Sequence, residues 1–267
     1  MTGQPLVGRV VPPLPRRWRG RYLVERNIVS TKSFWPVFLS GFFEPVFYLF
    51  AIGIGIGKLA GEVEVAGIPV EYTAFVAPAM LAASAMNGAV FESTNIFFKL
   101  KYGKVYDGVL ATPLEARDVA TGEISWTLAR GTLYSAAFIA VMAVMGLIES
   151  PYGILALPAA ILIGFAFGAV GTAATTYMRT WQDLDLVTLV TLPLFLFSAT
   201  FYPIDVYPEF VRVVTWISPL YHGVVLIRGL TLGILEWTMV INVVYLTAMG
   251  AVGAAVTGRR IGALLLK

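Results

Sequence analysis

Four charged side chains fall inside long apolar runs: Glu44, Glu92, Glu123 and Arg130. A charge at membrane depth is costly, so such residues face a bundle interior or a wet cavity and pair with one another. Two kinds of chemistry follow. One is structural ion pairing; the other is gating, polar contact with a substrate or proton cycling along a transport path. Glu123 and Arg130 are seven residues apart and therefore share a helix face. Glu92 lies about two turns before Lys99, and Glu123 reaches a similar depth in the next apolar run. The spacing predicts a Glu92–Arg130–Glu123 cluster bridging the two runs, with Glu44, followed by Pro45, serving the same ends.

Other chemistry is poorly supplied. The chain has no cysteine and one histidine, His222, beside Tyr221, which excludes thiol chemistry and a multi-histidine metal site. There is no GxxxxGK[ST] loop, GxSxG elbow or HExxH pair. The chain is therefore not expected to be an enzyme, to hydrolyse ATP by itself through such a loop, or to bind a cofactor. The glycine-rich run 53–57 ends an apolar stretch rather than linking a strand to a helix, so it reads as a helix-packing or flexible span end.

The elements that must position these residues are membrane helices. The 267 residues are 58% hydrophobic and 13% charged, with mean hydropathy +0.78; a soluble domain is about 45–50% apolar and about 25% charged. An all-α integral membrane protein is expected, with six spans near 36–57, 72–98, 119–147, 152–177, 184–201 and 237–256. Of the 19 basic residues, 15 lie before the first span, in the loop 99–118, at Arg179 or in the tail. The opposite loops hold Glu62, Glu64, Glu71, Glu149, Asp205, Glu209 and Glu236. By the positive-inside rule both termini are cytoplasmic. Residues 1–35 then form a basic tail and a helix over 16–33. Trp18, Tyr22 and Val29 share one face of that helix, flanked by Arg19 and Arg26, which suits the headgroup region; ordinary positive flanking of the first span is the other reading. Residues 36–267 form the transmembrane domain.

Two segments do not read as spans. The loop 99–118 mixes charge (Lys104, Asp107) with Tyr102, Val105, Tyr106, Val109, Leu110 and Leu114, at spacings that predict a short amphipathic helix ended by Pro113. Exposed apolar residues there would dock a partner protein; the other reading is a connector packed on its own bundle. Residues 197–233 are too apolar for a soluble loop, yet Pro203, Pro208 and Pro219 break them and Asp205, Glu209, Arg212 and Arg228 charge them. Irregular backbone at membrane depth survives only when buried in protein or lining a cavity. A re-entrant helical hairpin over 202–232, on the outer side, is expected. Its aromatic line of Phe197, Phe201, Tyr202, Tyr207, Trp216 and Tyr221 would hold sugar rings or a lipid chain, or anchor the segment at the interface.

The order of these parts resembles the ABC type-2 family of export permeases. EPVFYLFAIGIGIG at 44–57, FESTNIFFKLKYGKVYDGVLATPL at 91–114, GEISW at 122–126 and LPLFLFSATFYPIDVYPEFVRVVTWISPLYHGVVLIRGL at 192–230 are similar to the subgroup containing the nodulation lipo-oligosaccharide exporter permease. The resemblance implies a permease of a prokaryotic plasma (inner) membrane that exports an amphiphile: a lipo-oligosaccharide, a polysaccharide or glycolipid, or a drug. It implies a second permease copy, as homodimer or heterodimer, and two copies of a separate ATPase that bind ATP and magnesium. Tyr102, Lys104, Val105, Tyr106, Asp107, Val109 and Leu110 would then form the coupling helix seated in the ATPase. The six hairpin aromatics, with Pro203, Pro219, His222 and Arg228, would form an external lid beside the path. A proton-coupled secondary transporter or channel, and a membrane enzyme acting on lipid-linked sugar, are the alternative classes; nucleic acid is not an expected partner.

Overall fold

The computed structural model describes residues 18–32, 43 and 46–265. Helix α1 (Arg21–Thr31) comes first, and a π-helical stretch, Leu49–Ile54, runs into α2 (Gly55–Ala60). Strands β1 (Glu62–Val65) and β2 (Ile68–Glu71) pair antiparallel, with Val63 opposite Val70. Their two-residue turn uses positive φ at Ala66 (51°) and Gly67 (79°), the backbone that matches the twist of a hairpin. Then follow α3 (Tyr72–Lys101), α4 (Val105–Leu110), α5 (Ala116–Val144) and a 3-10 turn, Pro151–Leu155, continuing as α6 (Ala156–Thr175). The remainder is α7 (Leu184–Leu196), α8 (Glu209–Ile217), α9 (Pro219–Leu232) and α10 (Thr238–Leu265).

Among the described residues, four helices are long and apolar enough to cross a membrane: α3, α5, α6 with its preceding turn, and α10. They match the second, third, fourth and sixth expected spans to within a few residues, except that α10 runs on through Arg259 and Arg260. The fifth expected span, 184–201, is shorter in the structure. Helix α7 has 13 residues, about 20 Å at 1.5 Å per residue, against the roughly 30 Å of a hydrocarbon core. Pro193 stands in its last turn, the chain leaves the helix at Phe197, and Ala199 turns it with a left-handed φ of 54°. Residues 36–42, 44 and 45 of the first expected span, Glu44 among them, lie outside the described residues.

Helix α3 is the axis of the bundle. Phe75, Val76, Ala77, Met80, Leu81 and Met86 are all at most 2% exposed, because α5, α6 and α9 pack around it. Lipid tails are as apolar as the helices, so membrane bundles rely on close packing of small residues. A Cβ at Gly253 of α10 would lie 2.7 Å from the Val170 backbone nitrogen of α6. The run 53–57 packs in the same way: Thr73 donates to the Gly53 carbonyl at 3.1 Å, and a Cβ there would meet the Thr73 methyl at 2.7 Å.

Candidate functional site

At one end of the bundle α1, α4 and the ends of α3 and α5 form a polar junction. Helix α1 packs on α5 through Gly20, Leu23 and Asn27, all buried. A Cβ on Gly122 would sit 2.7 Å from both the Gly20 carbonyl oxygen and Leu23 Cβ, so two glycines set the separation of the helices. Trp18 and Val29 are exposed; the face they share with Tyr22 is the side turned away from the bundle. Asn27 Nδ2 donates to Glu123 Oε2 at 3.1 Å, and Lys99 Nζ donates to Glu123 Oε2 at 2.8 Å and to Asn27 Oδ1 at 3.2 Å. Glu123 is fully buried. Three elements that are distant in sequence therefore meet on one carboxylate.

This corrects the expected cluster. Glu92 and Arg130 do meet: Arg130 Nη1 donates to Glu92 Oε2 at 2.6 Å. Arg130 Nε also donates to Tyr134 Oη at 3.1 Å, and the guanidinium lies 5.5 Å from the centroids of Phe91 and Tyr134. Glu123, two turns nearer the junction, pairs with Lys99 rather than Arg130. A shared helix face is thus not a shared ion pair. Asn27 and Lys99 are not among the expected site residues, although Asn27 follows Leu23 by four residues and so continues a stripe that starts at Gly20.

Helix α4 is the short helix expected before Pro113, but its apolar side faces inward. Tyr106 is 1% exposed and packs with Leu23, Ile96, Val119 and Ile261. Val105, Val109 and Leu110 press on the same cluster. These four are a foundation rather than the exposed apolar docking residues expected, because α4 is too short to spare apolar area from its own anchorage. Tyr102, Lys104, Asp107 and Gly108 are the exposed positions. Burial first, and the nearby Glu123 carboxylate second, hold the Tyr106 hydroxyl well above the usual tyrosine range. Neither that hydroxyl nor Glu123 Oε1 closes a hydrogen bond among the described residues. Arg19 Nη1 donates to the Pro113 carbonyl at 3.3 Å, tying the loop back to the start of α1.

At the opposite end, α8 and α9 meet at an 84° bend. Ser218 sits at the bend, its hydroxyl 2.6 Å from that of Ser198 and capping α9, which opens with Pro219; serine before proline is a strong helix start. Thr215 donates to the Phe197 carbonyl at 2.8 Å, and Tyr207 donates to that of Leu196 at 3.3 Å. The ring nitrogens of His222 lie 2.7 Å from Asn242 Oδ1 and 3.1 Å from the Trp216 carbonyl oxygen, and the ring stacks on Tyr245 at 4.2 Å. The bend is therefore lashed to α7 on one side and α10 on the other.

The aromatic residues do not make one continuous line. Phe201 turns inward against Phe195, with centroids 5.3 Å apart, while Phe197, Tyr202 and Trp216 point outward. Pro203 and Tyr221 line a cavity of about 230 Å³ with Arg228. Arg228 is 7% exposed. Its Nε donates to the Phe75 carbonyl at 3.1 Å, its Nη2 donates to the Ala199 carbonyl at 2.9 Å, and its guanidinium lies 3.8 Å from the Phe75 ring centroid.

Fold and site together describe a multi-pass membrane protein with a charge-paired junction at one end and a bent, capped helix pair at the other. The description of the ABC-2 type transporter family matches residues 20–232, and the chain belongs to that family. It is the membrane component of such a transporter rather than its ATPase. The curated Nodulation protein J of Sinorhizobium fredii (strain NGR234) is 31% identical over 213 residues, covering 79% of this chain and 78% of that relative. Nodulation protein J of Rhizobium leguminosarum bv. viciae is 30% identical over 218 residues, 81% of each chain. The Rhizobium meliloti protein of the same name is 28% identical over 218 residues. The match to the family ends with α9, so α10 lies beyond it.

Proposed function

We propose that this chain is the permease subunit of an ATP-driven exporter for an amphiphile, working as two permease copies with two copies of a separate ATPase. In this reading the chain crosses six times, the short α7 included, and has both termini in the cytoplasm, which puts the α1–α4 junction on the cytoplasmic side. The segment 202–232 then returns from the outer face as a re-entrant lid. The observation that carries this reading is the seating of α4. Tyr106 is rooted in a core shared by α1, α3, α5 and α10, while Lys104, Asp107 and Gly108 face outward. A push on that outer edge is delivered to the ends of two spans and to the Glu123–Lys99 pair. Closure of the ATPase dimer then shifts α3 and α5 as a unit. Glu92 and Arg130 lie on the same two helices and carry the shift into the membrane. To move a two-state equilibrium from 1:99 to 99:1, ATP must favour one state by about 5.5 kcal/mol.

Helix α7 keeps Leu186, Leu189 and Val190 exposed, and α8 does the same with Phe210, Val213 and Val214. In this reading both surfaces meet lipid or the second permease, and the amphiphile passes between the two copies. The test uses the natural absence of cysteine. A single cysteine at Gly108 or Lys104 is expected to crosslink to the ATPase subunit in membranes, and one at Thr121 on the next helix is not. Crosslinking at Thr121 alone would overturn the assignment of the docking edge.

A further inference from the structure

Arg228 is a buried cation, and no acid pairs with it among the described residues. Its guanidinium has five N–H donors. Two of its nitrogens donate to the Phe75 and Ala199 carbonyls; Nη1 has no protein acceptor among the described residues. Buried charges are normally paired, because an uncompensated one carries its full desolvation penalty. Yet the cavity that Arg228 lines also holds three carboxylates, Glu64, Asp205 and Glu236, all exposed and none in an ion pair among the described residues. Positive charge at the base and negative charge at the rim share about 230 Å³ without touching.

The two signs are held apart by separate elements. Arg228 is fixed in α9 by carbonyls of α3 and of the turn at Ala199. Glu64 comes from β1, Asp205 from the turn before α8, and Glu236 from the loop before α10. An anion alone meets three carboxylates on entry. A cation alone leaves the guanidinium unmatched, and a neutral polyol compensates neither charge. A group that carries both charges a few bonds apart satisfies both ends. We propose that this cavity binds a zwitterionic group, its phosphate or carboxylate on Arg228 and its ammonium on the rim carboxylates. A lipid headgroup such as phosphoethanolamine and the same group free in solution share this chemistry. The site is read from its own geometry and does not depend on what the protein exports.

The test needs neither ATP nor an ATPase, so its result is independent of the exporter reading. Ile204 lines the cavity, and with no native cysteine an Ile204→Cys variant takes one environment-sensitive dye. The labelled protein, in phosphatidylglycerol nanodiscs, whose headgroup carries no ammonium, is titrated with O-phosphoethanolamine, inorganic phosphate, ethanolamine and glucose. Saturable binding of O-phosphoethanolamine at least about tenfold tighter than any other probe is expected, since each end contributes a charge-assisted bond. Asp205→Asn with Glu236→Gln, both exposed positions that leave the fold intact, should weaken O-phosphoethanolamine about tenfold without weakening phosphate. Arg228→Lys should weaken both. A second arm places phosphatidylethanolamine in the nanodisc; a response there without one to the free probe assigns the site to bilayer lipid. Equal binding of phosphate or glucose, no effect of the carboxylate substitutions, or silence in both arms would each overturn the proposal.

Discussion

Arg130 and Arg228 are the same residue type at nearly the same burial, and the bundle treats them in opposite ways. Arg130 is paired with Glu92 at 2.6 Å across two long helices. Among the described residues Arg228 meets only backbone carbonyls and an aromatic face, with three acids lining the same cavity but not paired with its nitrogens. The junction end pairs its charges internally, Glu92 with Arg130 and Glu123 with Lys99, and Asn27 adds a hydrogen bond to Glu123. The bent end leaves them separated. Under the proposed function the paired end is the part that transmits displacement, and under the proposed cavity the separated end keeps its surplus interactions for a ligand.

That contrast breaks most sharply at Glu92. Glu92→Ala removes the carboxylate that Arg130 meets at 2.6 Å and should cost about 3–5 kcal/mol, read as a fall in the thermal midpoint of the purified protein. Glu92→Gln with Arg130→Gln should cost less than the sum of the single changes. Strict additivity would show the pair to be incidental. Arg228→Met removes a charge that has no acidic partner among the described residues. It should cost less than Glu92→Ala, about 1–3 kcal/mol for two lost hydrogen bonds, and an equal loss would erase the distinction between the two ends. The smallest effect is expected at the junction itself. Tyr106→Phe keeps the ring and deletes a hydroxyl without a partner, so its cost should stay below about 1 kcal/mol.

The same substitution carries a pH signature. The folded pKa of Tyr106 is raised by burial, so the folded state holds this proton more tightly than the unfolded one. The stability it contributes is complete below the unfolded value of about 10 and is lost as pH rises above it. The wild type should therefore lose stability more steeply above about pH 10 than Tyr106→Phe does, in parallel thermal melts. Parallel pH profiles would mean that the phenol titrates freely.

Much of this was legible in the sequence. Long apolar runs specify α3, α5, α6 and α10 because burial in lipid leaves the backbone no alternative to a helix. Pro113 and Pro219 announce a helix end and a helix start. Charge pairing was less legible: a seven-residue spacing places Glu123 and Arg130 on one face, but α1 and Lys99 decide which of them pairs with what. Only packing reveals that Tyr106 faces inward, since a six-residue helix offers the same pattern to a partner and to its own bundle. Residues 184–201 read as a span because hydropathy counts apolar side chains and does not register the helix ending at Phe197. The cavity at Arg228 was out of reach, because it gathers residues from β1, the turn before α8, α9 and the loop before α10.

The account stands on mechanical coupling through the exposed edge of α4. The most direct test is ATP-driven transport in proteoliposomes containing the permease and its ATPase, with wild type compared against Asp107→Arg. The account predicts that transport needs both subunits, and that Asp107→Arg abolishes transport while the ATPase still turns over and the thermal midpoint of the permease is unchanged. Transport by the permease alone, driven by a proton gradient and indifferent to Asp107→Arg, would contradict it.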